Sequence, residues 1–183
     1  MMLRDLFKCN GPNDGTRTLL ESVLVPEVAV AINDWLKGRI ETGVLIGGLA
    51  LSYYVKPRFT TDCDLLYLSD EEIPTLVHGF KRTRKGAFLH KQTHVEIEVL
   101  TPSSIKMEVE LAKQIISTAK KQPDGFRIAS REGLIVSKLE RFSLQDRADV
   151  DALLKLGPAD FSSFTLTEKR TMNLEQALAD SNK

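Results

Sequence analysis

The stretch from Val44 to Gly48 constrains the fold more than any other part of this chain of 183 residues. The three apolar residues Val44–Ile46 predict a short buried strand, and Gly47 and Gly48 follow it directly. Glycines let the backbone turn sharply and approach a ligand, and the free N–H groups at a helix N-terminus attract phosphate. The stretch therefore predicts a strand, a turn and a helix, although a Gly-Gly pair by itself is more often a tight turn without a ligand.

Hydrophobic periodicity and turn residues predict helices before, within and after a small sheet. Strands are predicted at Val44–Ile46, Asp62–Leu68, Phe88–His90, His94–Leu100 and Phe126–Ala129. Helices are predicted at Thr18–Leu36 (with Pro26 as a break or as the first turn of a second helix), Leu49–Val55, Asp70–Phe80, Ser104–Lys121, Ser130–Leu144, Asp146–Leu156 and Leu174–Ala179. The fold class is therefore mixed α/β (α+β), a small mixed sheet flanked by helices with a helical C-terminal extension.

Composition excludes several classes of protein. An apolar content of 42% argues against intrinsic disorder. Because the 25 basic residues balance the 25 acidic residues, the molecule as a whole does not attract nucleic acid, and binding would require a local basic patch. The two cysteines, Cys9 and Cys63, fit neither a zinc site nor a disulfide framework. Residues 1–14 lack the apolar core of a signal peptide, and Gly43–Tyr54 is too short to span a membrane. The sequence thus predicts a cytoplasmic protein without a membrane segment.

Two pairs of acidic residues occur at strand spacing. Asp62 and Asp64 share one face of their strand, where two carboxylates repel each other unless a cation lies between them. Mg²⁺ binds carboxylate oxygens together with substrate phosphates, which such a pair can provide. Glu96 and Glu98 likewise share a face of a later strand. Each pair taken alone is more often a solvated strand surface than a metal site.

Clusters of basic residues carry less information. Residues 81–85 form a compact basic segment that can contact RNA phosphates, although lysines that protect a strand edge are the favoured interpretation. Charges on the late helices most often form salt bridges. These residues are Lys138, Arg141, Asp146, Arg147 and Asp149.

In combination these features resemble a known signature. Gly47-Gly48, a spacer of 13 residues and Asp62-x-Asp64, followed by a later acidic strand, resemble the nucleotidyltransferase pattern of the polymerase-β superfamily. The segment Arg58-Phe-Thr-Thr61 is similar to the Arg-x-x-Thr that precedes the Asp pair in the AbiEii-like group. The segments Glu98-Val-Leu-Thr-Pro102 and 137–150 are similar to later motifs of that group. The resemblance covers about residues 40–156.

The resemblance implies a division of the chain and a set of site residues. It implies an N-terminal lead-in over residues 1–38, a nucleotidyltransferase core over 39–129 and a helical extension over 130–183. The implied catalytic and Mg²⁺-binding residues are Asp62, Asp64 and Glu98. The implied nucleotide-binding residues are Gly47, Gly48, Arg58, Thr61 and Lys138. Glu96 competes with Glu98 for the third position, where relatives more commonly have Asp.

The implied activity is Mg²⁺-dependent transfer of a nucleoside monophosphate from a nucleoside triphosphate to RNA, a protein or a small molecule. A toxin–antitoxin or phage-defence system is the implied setting, and a cognate antitoxin or toxin protein is a candidate partner. Few residues follow the last motif, whereas toxins of the group carry a substantial C-terminal domain. A non-catalytic nucleotide- or protein-binding member of the fold is therefore the main alternative. Transfer to the hydroxyl of an aminoglycoside- or lincosamide-like compound is a third hypothesis.

Overall fold

The computed structural model describes residues 25–38, 43–56, 60–122 and 125–181. The described strands are β1 (Val44–Ile46), β2 (Cys63–Leu66), β3 (Phe80–Arg82), β4 (Phe88–His90), β5 (Glu96–Leu100), β6 (Lys120–Lys121) and β7 (Arg127–Ile128). The described α-helices are α1 (Pro26–Lys37), α2 (Gly47–Tyr54), α3 (Pro102–Ile105), α4 (Val109–Ser117), α5 (Arg131–Leu139), α6 (Leu144–Leu154) and α7 (Glu168–Ser181). The strands form one mixed sheet in the order β3-β4-β5-β2-β1-β7-β6, which confirms the predicted fold class.

The centre of the sheet is built from β1, β2 and β5. β1 runs antiparallel to β2 and places Ile46 opposite Asp64. β2 runs parallel to β5 and places Asp64 opposite Glu98. Because directly opposed residues point to the same side of a sheet, both carboxylates lie on one face. We call this side the open face.

The other face of the sheet is covered by α1. The Trp35 ring makes edge-to-face contacts with Phe80 and Phe88, each with ring centroids 5.2 Å apart. Cys63 and Ile97 on the same face are fully buried. Burial raises the pKa of the Cys63 thiol well above its usual range. The apolar side of β2 therefore holds the strand rigidly beneath the carboxylates.

The sequence predicts the chain around β1 well. Val44–Ile46 is the observed strand, and α2 begins at Gly47, directly after it. The Tyr54 hydroxyl at the end of α2 donates a 2.8 Å hydrogen bond to the Ala129 carbonyl beyond β7. Pro26 is the first residue of α1, which confirms the alternative that placed it in the first turn of a helix. Residues 18–24 of the predicted first helix lie outside the described residues.

Two predicted helices are wrong. The segment predicted as a helix from Asp70 to Phe80 has only a 3-10 turn, Asp70–Glu72, and then leads into β3. Pro74 explains the error, because proline has no backbone N–H and disfavours helical backbone at the residue before it.

The segment 104–121, predicted as one helix, is divided into α3, α4 and β6. The break falls at Lys106, whose left-handed backbone (φ 55°) ends α3. At the C-terminus, α7 extends over Glu168–Ser181, well beyond the predicted Leu174–Ala179. No helix in the described part of the chain is long and apolar enough to cross a membrane.

Candidate functional site

Two of the three carboxylates predicted to be catalytic lie side by side on the open face. Asp64 lies on β2 directly opposite Glu98 on β5, and Asp62 comes two residues before Asp64. The strand register pairs Glu98, and not Glu96, with Asp64, and the charges of Glu98 and Asp62 both act on Asp64. Of the two glutamates between which the sequence leaves a choice, Glu98 is therefore the neighbour of Asp64.

Gly47 packs directly against the Asp64 carboxylate. Its backbone has φ +71°, a conformation that side chains disfavour, and a Cβ added there would collide with Asp64 Oδ2. The first glycine of the Gly-Gly pair is thus required both by the turn and by the neighbouring carboxylate. Gly48 follows within the first turn of α2, where backbone N–H groups have no partner inside the helix.

The environment of Asp64 destabilises its charged form. Burial, followed by the charges of Glu98 and Asp62, raises the pKa of Asp64 to about 6, and Lys138 opposes this shift. No described residue forms an ion pair or a hydrogen bond with the Asp64 side chain. Excess negative charge of this kind favours a bound cation.

Asp62 and Thr61 lie in a segment held by local hydrogen bonds. The Asp62 backbone N–H donates to Thr60 Oγ1 at 3.3 Å, and the Thr61 hydroxyl lies 3.5 Å from Asp62 Oδ1. The structure therefore brings Thr61 to the carboxylates, where the sequence predicts it. Arg58, the other predicted nucleotide-binding residue of this segment, lies outside the described residues.

A cavity of about 480 Å³ opens beside two of the carboxylates, Asp62 and Glu98. Glu96 lines the same cavity, and so do Glu27 from the first turn of α1 and His94 from the turn before β5. Sequence reasoning missed Glu27 and His94, because no spacing links the start of α1 with the end of β4. A volume of this size is sufficient for a small ligand or for part of a larger one.

Lys138 lies on α5 and already has two carboxylate partners. Its Nζ atom lies 2.7 Å from Asp149 Oδ2 and 3.6 Å from Asp146 Oδ1, both on α6. Arg141 also pairs with Asp146, and Gln145 donates to Asp149. These ion pairs agree with the salt bridges expected for the late helices, and the two aspartates position Lys138.

Arg147, in contrast, lies outside this network. Its guanidinium group stacks over the Phe142 ring at 4.8 Å and donates to the Phe142 carbonyl. Arg147 is therefore held against Phe142.

A second cavity, of about 490 Å³, lies on the side of α1. His90 is its deeply buried polar residue, but Asp34 lies 3.3 Å from His90 Nε2 and Thr93 Oγ1 lies 2.8 Å from His90 Nδ1. Both ring nitrogens thus have partners within the protein. We therefore assign the chemistry to the carboxylates on the open face, where charge is left without a partner.

The carboxylates fit magnesium by their chemistry. No group of three or more His, Cys, Asp or Glu side chains among the described residues is arranged to hold a metal ion by itself. Mg²⁺ does not need such a cage, because it is commonly bound by one or two carboxylates, waters and substrate phosphates. Asp62 and Asp64 supply hard oxygen donors, and the raised pKa of Asp64 marks a place where positive charge is missing.

Comparison with known proteins supports the same fold. The chain is similar to a solved structure described as an antigenic nucleotidyltransferase-like protein from Paracoccidioides brasiliensis. The two share 17% sequence identity with a TM-score of 0.55, over 84% of this chain and 88% of the other. No protein-family model and no curated protein matches the sequence. The chain therefore has a nucleotidyltransferase-like fold.

Proposed function

We propose that this protein is a metal-dependent nucleotidyltransferase that transfers a nucleoside monophosphate from a nucleoside triphosphate to an acceptor hydroxyl. The observation that carries the proposal is the parallel pairing of β2 and β5, which sets Glu98 beside Asp64 and next to the Gly47 turn. A structural aspartate would have a basic partner at this position, as Asp146 has. The nucleotidyltransferase-like fold supports the proposal.

Each residue has a defined task in this mechanism. Asp62 and Asp64 would hold Mg²⁺, which when bound would offset the charge on the phosphates and on the attacking oxygen. The N–H groups at Gly47 and Gly48 face the phosphates at the start of α2. Glu98 accepts the proton of the acceptor hydroxyl while the hydroxyl oxygen bonds to the α-phosphorus. The bond from the α-phosphorus to the bridging oxygen breaks, and pyrophosphate leaves.

Lys138 and Thr61 complete the proposed nucleotide site, and the sequence resemblance adds Arg58. The Lys138 ammonium group has three donors and two carboxylate partners, so it contributes mainly a fixed positive charge beside Asp64. The Thr61 hydroxyl is placed to orient Asp62 or a phosphate oxygen. A role in a toxin–antitoxin or phage-defence system, with a cognate protein partner in the cytoplasm, is part of the proposal and rests on the sequence resemblance to the AbiEii-like group.

The proposal can be tested without knowing the acceptor. We would titrate the four nucleoside triphosphates with Mg²⁺ into the protein by calorimetry and measure pyrophosphate release with water as the acceptor. The Asp62→Asn/Asp64→Asn variant is expected to lose metal-dependent binding and at least 1,000-fold in release, because it lacks both carboxylates that hold the ion.

The matched control is Asp70→Asn, which changes an exposed aspartate in the 3-10 turn. It is expected to bind and to release pyrophosphate as the wild type does. Normal release by the double variant would refute the proposal. Tight nucleotide binding without release by the wild type would favour the non-catalytic alternative.

A further inference from the structure

The hairpin formed by β3, β4 and the turn 83–87, here called the basic hairpin, carries concentrated positive charge. Its exposed basic side chains are Lys81, Arg82, Arg84 and Lys85. None of the four forms an ion pair with a carboxylate in the described part of the chain. Arg82 packs over the Phe88 ring at 5.5 Å, so its position has a structural reason. Among the described residues, Lys81, Arg84 and Lys85 make no comparable ring contact.

The strand register places Lys81 on the same face as the proposed catalytic carboxylates. Lys81 is opposite Leu89 on β4, and Leu89 is opposite Glu96 on β5. Glu98 comes two residues after Glu96, so its side chain points to the same face, and Asp64 is opposite it. The open face therefore changes from acidic at β2 and β5, through the half-buried Leu89, to basic at β3.

The turn of the basic hairpin lies at the level of Glu98. In the antiparallel pairing of β4 with β5, Phe88 is opposite Ile97. The residue before Phe88 therefore lies at the level of the residue after Ile97, which is Glu98. Two strand spacings, about 10 Å, separate β3 from β5. This corresponds to about three nucleotides of a stacked single strand at about 3.4 Å each. A strand whose 3′ end lies at the carboxylates thus has its phosphates within reach of the basic hairpin.

Protection of a sheet edge does not account for the whole cluster. β6 is the opposite edge strand, and its two residues are Lys120 and Lys121, as expected for charges that block edge-to-edge pairing. On the basic hairpin, Lys81 can serve that purpose. Arg84 and Lys85 cannot, because they lie in the turn outside β3 and β4, where no strand edge is open to pairing.

We propose that the basic hairpin binds the phosphate backbone of a single-stranded polynucleotide whose 3′-terminal hydroxyl is the acceptor at Glu98. The reaction at Glu98 in this inference rests on the proposed function. Binding of RNA by the basic hairpin is tested separately from that reaction. Lys81, Arg84 and Lys85 neutralise phosphates one to three nucleotides from the 3′ end. The acidic centre of the open face is then left for the terminal nucleotide and the metal ion.

The test is the affinity for a fluorescent single-stranded RNA 12-mer, measured by anisotropy over a range of salt concentrations. The variant Lys81→Gln/Arg84→Gln/Lys85→Gln is compared with Lys106→Gln/Lys113→Gln/Lys155→Gln, which makes the same change of net charge at exposed residues outside the hairpin. We expect the hairpin variant to lose at least 10-fold in affinity at low salt. The slope of log affinity against log salt should fall by about 2, because each lost phosphate contact contributes about 0.7. The control variant should stay within two-fold of the wild type.

The outcomes separate this inference from the proposed function. An equal loss in both variants, no loss in either, or no RNA binding by the wild type would each overturn the inference, as would binding of anionic lipid vesicles in preference to RNA. Pyrophosphate release with water as the acceptor would persist in each of these four cases if the proposed function holds. Conversely, hairpin-dependent RNA binding combined with normal release by Asp62→Asn/Asp64→Asn would remove the proposed function and leave the binding surface standing.

Discussion

Two groups of aspartates in this protein have opposite electrostatic surroundings. At the open face, burial and the neighbouring acids raise the pKa of Asp64 to about 6. On α6, burial also acts to raise the pKa of Asp146, but hydrogen bonds from Arg141 and Ser143 outweigh it and hold that pKa well below its usual range. Asp64 forms no ion pair with a described residue, whereas Asp146 is paired with basic side chains from α5 and from the link between α5 and α6.

The difference shows how to separate ligand-binding carboxylates from structural ones. The side chains of Asp146 and Asp149 are only 3% and 5% exposed, and their charges are balanced within the protein by Lys138 and Arg141. Balanced, buried charges hold α5 and α6 together. Asp64 retains unbalanced charge beside a glycine turn, and such a site is completed by a ligand. The following predictions test this contrast, from the largest expected effect to the smallest.

Asp149→Ala should destabilise the protein by about 3–5 kcal/mol, because it removes one partner of a buried ion pair and leaves Lys138 without its nearest carboxylate. Urea unfolding at pH 7 measures the change. Lys155→Met breaks the exposed pair with Asp151 and should cost less than about 0.5 kcal/mol. Similar losses for both variants would show that the helix pair does not depend on balanced buried charge.

Glu98→Gln should reduce pyrophosphate release by about 100-fold, equivalent to about 2.7 kcal/mol of transition-state stabilisation. Glu96→Gln should reduce it less than about threefold, because Glu98 and not Glu96 is paired with Asp64. Kinetics at saturating Mg²⁺ measure both variants. The reverse order would place the third carboxylate at Glu96.

Gly47→Ala should weaken Mg²⁺-dependent nucleotide binding by at least 10-fold, because the added methyl group pushes the Asp64 carboxylate out of place. Gly157→Ala is the matched control: its backbone also has positive φ, but a Cβ there meets no neighbouring atom within 4 Å. Both variants should lose about 1 kcal/mol of stability from backbone strain. Only the first should lose binding, and calorimetry distinguishes them.

Asp64→Asn should stabilise the metal-free protein at pH 7 by about 1–2 kcal/mol. Solvent screening at this partly exposed site keeps the effect small. The folded pKa of about 6 lies above the ordinary value of 3.8, so the folded chain binds the proton more tightly than the unfolded chain. Wild-type stability from this residue is complete below about pH 4 and is lost as pH rises through about 6. Unfolding of both proteins is measured in EDTA at pH 4 and pH 7. The wild type should lose this contribution to stability between the two pH values, whereas the variant should not.

Much of the site is already present in local sequence patterns. The glycine turn follows a three-residue strand, and Asp62 and Asp64 are two residues apart, so both features follow from spacing alone. The choice of Glu98 over Glu96 needs the register between β2 and β5, which single-sequence periodicity does not contain. The pairing of Lys138 with Asp149 likewise depends on how α5 packs against α6.

Short elements are the part of the fold that sequence reasoning predicts least well. β3 and β6 have three and two residues, too few to show a period. The predicted helix Ser104–Lys121 includes the whole of β6, and the predicted helix Asp70–Phe80 includes only the first residue of β3. Their strand conformation comes from pairing with β4 and β7, which is a tertiary effect. This matters for function because β3 carries Lys81 onto the open face.

The parallel pairing of β2 with β5 also affects how the protein is made. A growing chain that has just completed β2 already contains the glycine turn and both aspartates, but the whole of β3 and β4 must be synthesised before β5 exists. Contacts between such distant segments form late in folding, because the intervening loop must first be closed. Asp64 and Glu98 are therefore brought together only after β5 has been synthesised, so chains that end before β5 cannot carry out the proposed reaction.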